Sequence, residues 1–114
     1  MIETPEATSL LVDARTDGLK IRSRDGDSLG HIHSFMVEKA SGQTAYAVLS
    51  LGGFLGLGES YYPVPFPLLH YNAADAAYVV TIDRRQLEGG PSWSTNAPAF
   101  DQAYANRVSS YYGR

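Results

Sequence analysis

The residues best able to do chemistry in this sequence are its histidines, a run of glycines and a short basic stripe. His31 and His33 stand two apart, so in a regular strand they share a face. Two imidazoles at that spacing can hold a metal ion, with His70 as a conceivable third ligand. No spacing rule brings His70 to them, and the pair reads more simply as solvated strand histidines. Gly52-Gly53-Phe54-Leu55-Gly56-Leu57-Gly58 invites a phosphate-binding reading. It lacks Gly-x-Gly-x-x-Gly in order, and no Lys-Ser/Thr follows. Gly53-Phe54-Leu55-Gly56 likewise has no basic residue to clamp RNA. The loop is better read through its apolar tip, which must either cap one end of the fold or meet a partner. Lys20, Arg22 and Arg24 form a basic stripe able to touch phosphates or an acidic partner. Asp25 and Asp27 sit beside it, which favours a solvated face. Hydroxyls, histidines and carboxylates are present, but no nucleophile elbow or triad context frames them. No catalytic, cofactor-binding or metal-ligating residue is assigned.

Composition narrows the classes further. The chain has 114 residues, 44% hydrophobic and 18% charged, which suits one folded domain rather than a disordered tail. Nine Lys+Arg against twelve Asp+Glu give a net charge of -3, unlike a generic nucleic-acid binder. The absence of cysteine excludes disulfides, thiolate catalysis and iron–sulfur clusters. Met1–Ser9 carries two Glu and no Lys or Arg, so it does not read as a secretion signal. No stretch approaches the ~20 apolar residues that span a bilayer. A cytoplasmic location is expected.

The elements that must position these residues follow from periodicity. Met1–Asp17 reads as a loose arm with a short strand or helical turn. Leu19 and Ile21 alternate with Lys20 and Arg22, which predicts a half-buried strand ending in a turn at Asp25-Gly26. Ser28–Glu38 predicts a second strand whose phase slips between Ile32 and Phe35; a β-bulge near His33-Ser34 reconciles it. Thr44–Leu51 is apolar on both faces, hence covered on both. Glu59–Val64 predicts another strand. Pro63, Pro65 and Pro67 remove every second donor on one side, so this segment lies at an edge or leaves the sheet near Pro65. Asn72–Asp75 reads as a turn and Ala77–Asp83 as the last strand. Asp83 caps a short helix, Arg84–Glu88, that stops at Gly89-Gly90. Pro91–Pro98 is a linker holding the only Trp. Phe100, Tyr104, Val108 and Tyr111 at helical spacing predict a terminal amphipathic helix over Ala99–Tyr112, lying on its own domain or on a second subunit.

From Gly18 to about Trp93 the sequence resembles the PRC-barrel family. The resemblance is carried by Asp25-Gly26-Asp27-Ser28-Leu29-Gly30, Tyr46-Ala47-Val48-Leu49-Ser50, the Gly52–Gly58 block, Tyr62-Pro63-Val64-Pro65-Phe66, Tyr78-Val79-Val80 and Leu87. Pro63 and Pro67 depart from the family pattern, as does Phe66, where the family often has Trp. The resemblance implies a small β-barrel of the interaction-module type, with no shared catalytic residues. Its settings include the cytoplasmic domain of the photosynthetic reaction-centre H subunit, the C-terminal domain of a ribosome maturation factor, and short stand-alone proteins, which this chain resembles most.

The expectation is therefore an all-β protein with a small antiparallel PRC-like barrel, a short helix after the last strand and a C-terminal helix. Its parts are an arm over 1–17, the barrel over 18–93, and a linker with amphipathic helix over 94–114. The expected function is that of a non-enzymatic protein-interaction and assembly module, self-associating as a homodimer, without a cofactor. The candidate interface residues are Phe54, Leu55, Leu57, Tyr61, Phe100, Tyr104 and Tyr111. The alternative is a ribosome- or RNA-associated factor acting through Lys20, Arg22 and Arg24. A weaker one is a regulator of a membrane electron-transfer complex. Nucleic acid and membrane insertion are not expected of the module itself.

Overall fold

The computed structural model describes residues 11–51 and 60–113, with side chains from residue 19 onward. The strands are β1 (Leu11–Arg22), β2 (Ser28–Glu38), β3 (Thr44–Leu51), β4 (Ser60–Pro65), β5 (Leu69–Asn72) and β6 (Ala77–Val80). Two helices follow, α1 (Arg84–Glu88) and α2 (Gln102–Tyr112). The strands form one six-stranded sheet in the order β4-β3-β2-β1-β6-β5.

β2 and β3 occupy the spans that the alternation predicts. The phase slip is a bulge: Ile32 pairs with Leu49 and Ser34 with Val48, so His33 is the extra residue of β2 in this register. The bulge sets Ile32 and Ser34, two residues apart, on opposite faces of the sheet, and both are buried; a second register shift, against β1 between Ile21 and Arg22, falls at Leu29. At Gly30 the backbone has φ +151°, and a Cβ there would strike the Ser50 carbonyl oxygen of β3. Only glycine lets the two strands approach that closely. The turn between β1 and β2 is closed by Ser23 N–H donating to Asp27 O at 2.8 Å and Gly26 N–H to Ser23 O at 3.0 Å.

β4 is an edge strand, as its prolines require. Tyr61 N–H donates to Trp93 O at 2.8 Å and Trp93 N–H to Tyr61 O at 3.0 Å, so the polar groups of Tyr61 point away from β3. Pro63 and Pro65 share that parity. Their missing donors therefore fall on the outer side, where no ladder is lost, while Tyr62 and Val64 face the ladder to β3. The chain then leaves the sheet through a 3₁₀ turn, Phe66–Leu68.

β1 begins at Leu11, so the short strand allowed for within Met1–Asp17 is continuous with the one through Leu19 and Ile21. Two expectations are corrected. Leu69–Asn72 is a strand, β5, that the sequence reading left out. The sheet is mixed rather than antiparallel, because β6 pairs parallel with β1 through Lys20↔Ala77, Ile21↔Tyr78 and Arg22↔Val79. The physical reason is the proline-blocked edge. With β4 unable to accept a neighbour, the chain crosses to the far side of the sheet, and the β5–β6 hairpin docks on β1.

The core joins the sheet to the two helices. Ile21, Ile32, Leu49, Val64 and Val80 from the sheet pack with Leu87 of α1 and with Phe100, Tyr104, Val108 and Tyr112. Asp83 caps α1 by accepting from Arg85 N–H, and Asp101 caps α2 by accepting from Tyr104 N–H at 2.9 Å. The buried stripe of α2 runs through Tyr104, Val108 and Tyr112. Tyr111, expected on that stripe, is 39% exposed instead. Its hydroxyl donates to the Gln86 carbonyl of α1 at 2.6 Å. The helix thus lies on its own domain.

Candidate functional site

The bulge at His33 sets the candidate site. It turns the imidazole toward β4, where it meets the Tyr61 ring at a centroid distance of 4.9 Å. The Tyr61–Trp93 bridge then fixes the Trp93 indole, which stacks on Tyr61 at 5.9 Å with 30° between planes. Phe100 meets Trp93 edge-on at 5.9 Å and continues the row to Tyr46 and Tyr104. Between these rings and the sheet lies a groove of about 350 Å³, with Met36 and Val48 as its floor and Ala97 and Pro98 on its rim. Its lining is mostly apolar, and the buried Ser34 is its most enclosed polar residue. Such a groove takes an apolar or aromatic group by removing surface from water, at roughly 25 cal/mol per Å².

The groove's lining offers mostly apolar contact; His33 and Tyr61 are the titratable side chains among its described lining residues, and no carboxylate is among them. Burial pushes the Tyr104 hydroxyl above its ordinary range. Burial, reinforced by Tyr111, Tyr62 and Tyr104, pushes that of Tyr112 higher still. Neither hydroxyl oxygen has a hydrogen-bond partner among the described residues.

A family model described as the PRC-barrel domain matches residues 14–87. The chain belongs to the PRC-barrel family. No curated protein matches it. In this PRC-barrel chain the groove is composite. His33, Met36, Val48 and Tyr61 lie within the matched span, whereas Trp93, Pro98 and Phe100 come after it.

The structure brings together two of the residues singled out in the sequence, Tyr61 and Phe100, and places Tyr104 beside them. Phe100 and Tyr104 are nevertheless core residues, 6% and 8% exposed, and contribute walls rather than a free surface. Phe54, Leu55 and Leu57 lie outside the described residues. His70 is not brought to His31 and His33, because β1 and β6 stand between β2 and β5. No group of three metal-ligating side chains occurs among the described residues. The basic stripe is divided: Arg22 pairs with Asp75 in the β5–β6 turn and reaches Gly26 O, while Lys20 and Arg24 are exposed. Among the described residues no helix is long and apolar enough to cross a membrane.

The sequence reading missed Trp93 as a site residue. One signal was there: a lone Trp in a Ser- and Pro-rich linker is costly to leave in water and must find apolar cover.

Proposed function

We propose that this PRC-barrel chain is a non-enzymatic interaction and assembly module of the cytoplasm, which self-associates and receives an apolar or aromatic side chain of a partner protein in the Tyr61–Trp93 groove. The carrying observation is the groove itself: four rings held in order by the bulge, the backbone bridge and α2, over a mostly apolar lining. The family supports a generic interaction role. The RNA-directed alternative draws less support, since Arg22 is engaged with Asp75.

The test compares affinity capture by the wild type and by Trp93→Ala. This substitution keeps the backbone bridge and empties the centre of the groove. One partner retained by the wild type and lost by the folded variant is the expected result. Identical capture by both would remove the groove from the function.

A further inference from the structure

The two edges of the sheet are not alike. On β4 the outward-facing positions are Tyr61, Pro63 and Pro65. The first is bonded to Trp93 and the other two have no donor to offer. That edge is closed to another strand.

β5 is the opposite case. Thr81 N–H donates to Leu68 O at 3.0 Å, which extends the β5–β6 register by one rung and directs Leu68 toward β6. With a period of two, His70 and Asn72 also face β6, while Leu69 and Tyr71 face away. The Leu69 N–H turns back to Phe66 O, leaving its carbonyl outward. Tyr71 presents both its N–H and its C=O. Its side chain is 54% exposed, the highest among the large hydrophobic residues described. The ring is also the end of an aromatic row, 5.0 Å from Tyr78, which in turn meets Phe66 and Phe35.

From this geometry we infer that the β5 edge is the self-association surface, on which a second copy of this chain pairs antiparallel about a two-fold axis at Tyr71. The inference rests on the assembly reading above. Two observations select a second copy as the occupant. Tyr71 carries one outward donor and one outward acceptor, so two copies related by a two-fold axis satisfy each other without a foreign strand. Charge raises no barrier either. Leu69–Asn72 holds no Lys, Arg, Asp or Glu, His70 falls opposite Asn72 rather than another His70, and nearby Asp75 is neutralised by Arg22. Edges guarded against pairing carry lysine or proline instead, as β4 does.

The experiment is light scattering at about 100 μM, where specific interfaces of ordinary size are populated, on the wild type, Tyr71→Pro and Tyr71→Lys. Tyr71→Pro deletes the outward donor and spares the β6 ladder. Tyr71→Lys sets like charges across the axis. The expected result is a mass of twice the 12.4 kDa chain for the wild type, and monomers for both variants, with Trp93 emission unchanged as evidence of folding. Should Tyr71→Pro fail to fold, Tyr71→Lys decides alone, with its dimer returning at high salt. A dimer that persists in the folded variants overturns the edge and leaves self-association standing. A monomeric wild type overturns both and leaves the groove, read by Trp93→Ala, untouched.

Discussion

Single residues carry much of this fold. Gly30 is required by the backbone of β3. We expect Gly30→Ala to cost on the order of 2–4 kcal/mol, through strain at a positive φ and a forced separation of β2 from β3. Urea unfolding measures it, and a cost under about 0.5 kcal/mol, the usual range for surface changes, would contradict it. The hydroxyls of Tyr104 and Tyr112 oppose stability, since each is buried without a partner among the described residues. Tyr112→Phe should therefore be neutral or stabilising by up to about 1 kcal/mol, because it removes a desolvated group and no bond. A loss of more than that in thermal or urea unfolding would show the phenol to be bonded. The place of this residue was only half legible. Phe100, Tyr104 and Val108 recur every four positions, but adjacent tyrosines at 111 and 112 both satisfy helical spacing. The choice fell to the tertiary partner: the Gln86 carbonyl takes the Tyr111 hydroxyl, and Tyr112 turns inward.

At the scale of elements, α2 is tied to proton chemistry. Tyr104 and Tyr112 both titrate higher in the folded chain than in the unfolded one. Folding therefore favours their neutral forms. Their titration leaves stability unchanged below about pH 10 and lowers it as pH rises beyond that, because the unfolded chain ionises first. Urea midpoints should fall more steeply above pH 10 for the wild type than for the Tyr104→Phe, Tyr112→Phe double variant. Equal slopes would contradict the assignment. The bulge, both ends of β2 and β3, and the Asp83 cap were legible because each follows a local rule: a period of two, or an Asp before a helical run; the Asp101 cap was not, since the helical spacing carried the expected helix back to Ala99. β5 was not. Four residues after Pro67 offer too little alternation to separate a strand from a loop, and although the prolines close the β4 edge, nothing local to β6 says that it pairs parallel with β1.

Over the whole molecule, the edges and the groove describe one design. Pro63 and Pro65 point their missing donors outward, so restoring donors should open β4. Pro63→Val with Pro65→Val is expected to leave the ladder to β3 intact and to produce species above the wild-type mass in light scattering. An unchanged mass would show that the bridge at Trp93 alone closes that edge. The groove was less legible than the fold. Tyr61 and Phe100 were named from the sequence, but the segment between them that holds Trp93, Pro91–Pro98, read as a linker. Its place is fixed by a backbone bridge and by the packing of α2, both long-range in sequence.

The most direct measurement is the emission of Trp93, the chain's only tryptophan, as a partner retained by the wild type is titrated in. Occupation of the groove predicts a saturable blue shift, since the indole loses water, and no binding by Trp93→Ala or Tyr61→Ala. A complex confirmed by its mass that leaves the emission unchanged, and forms equally with both variants, would contradict the account.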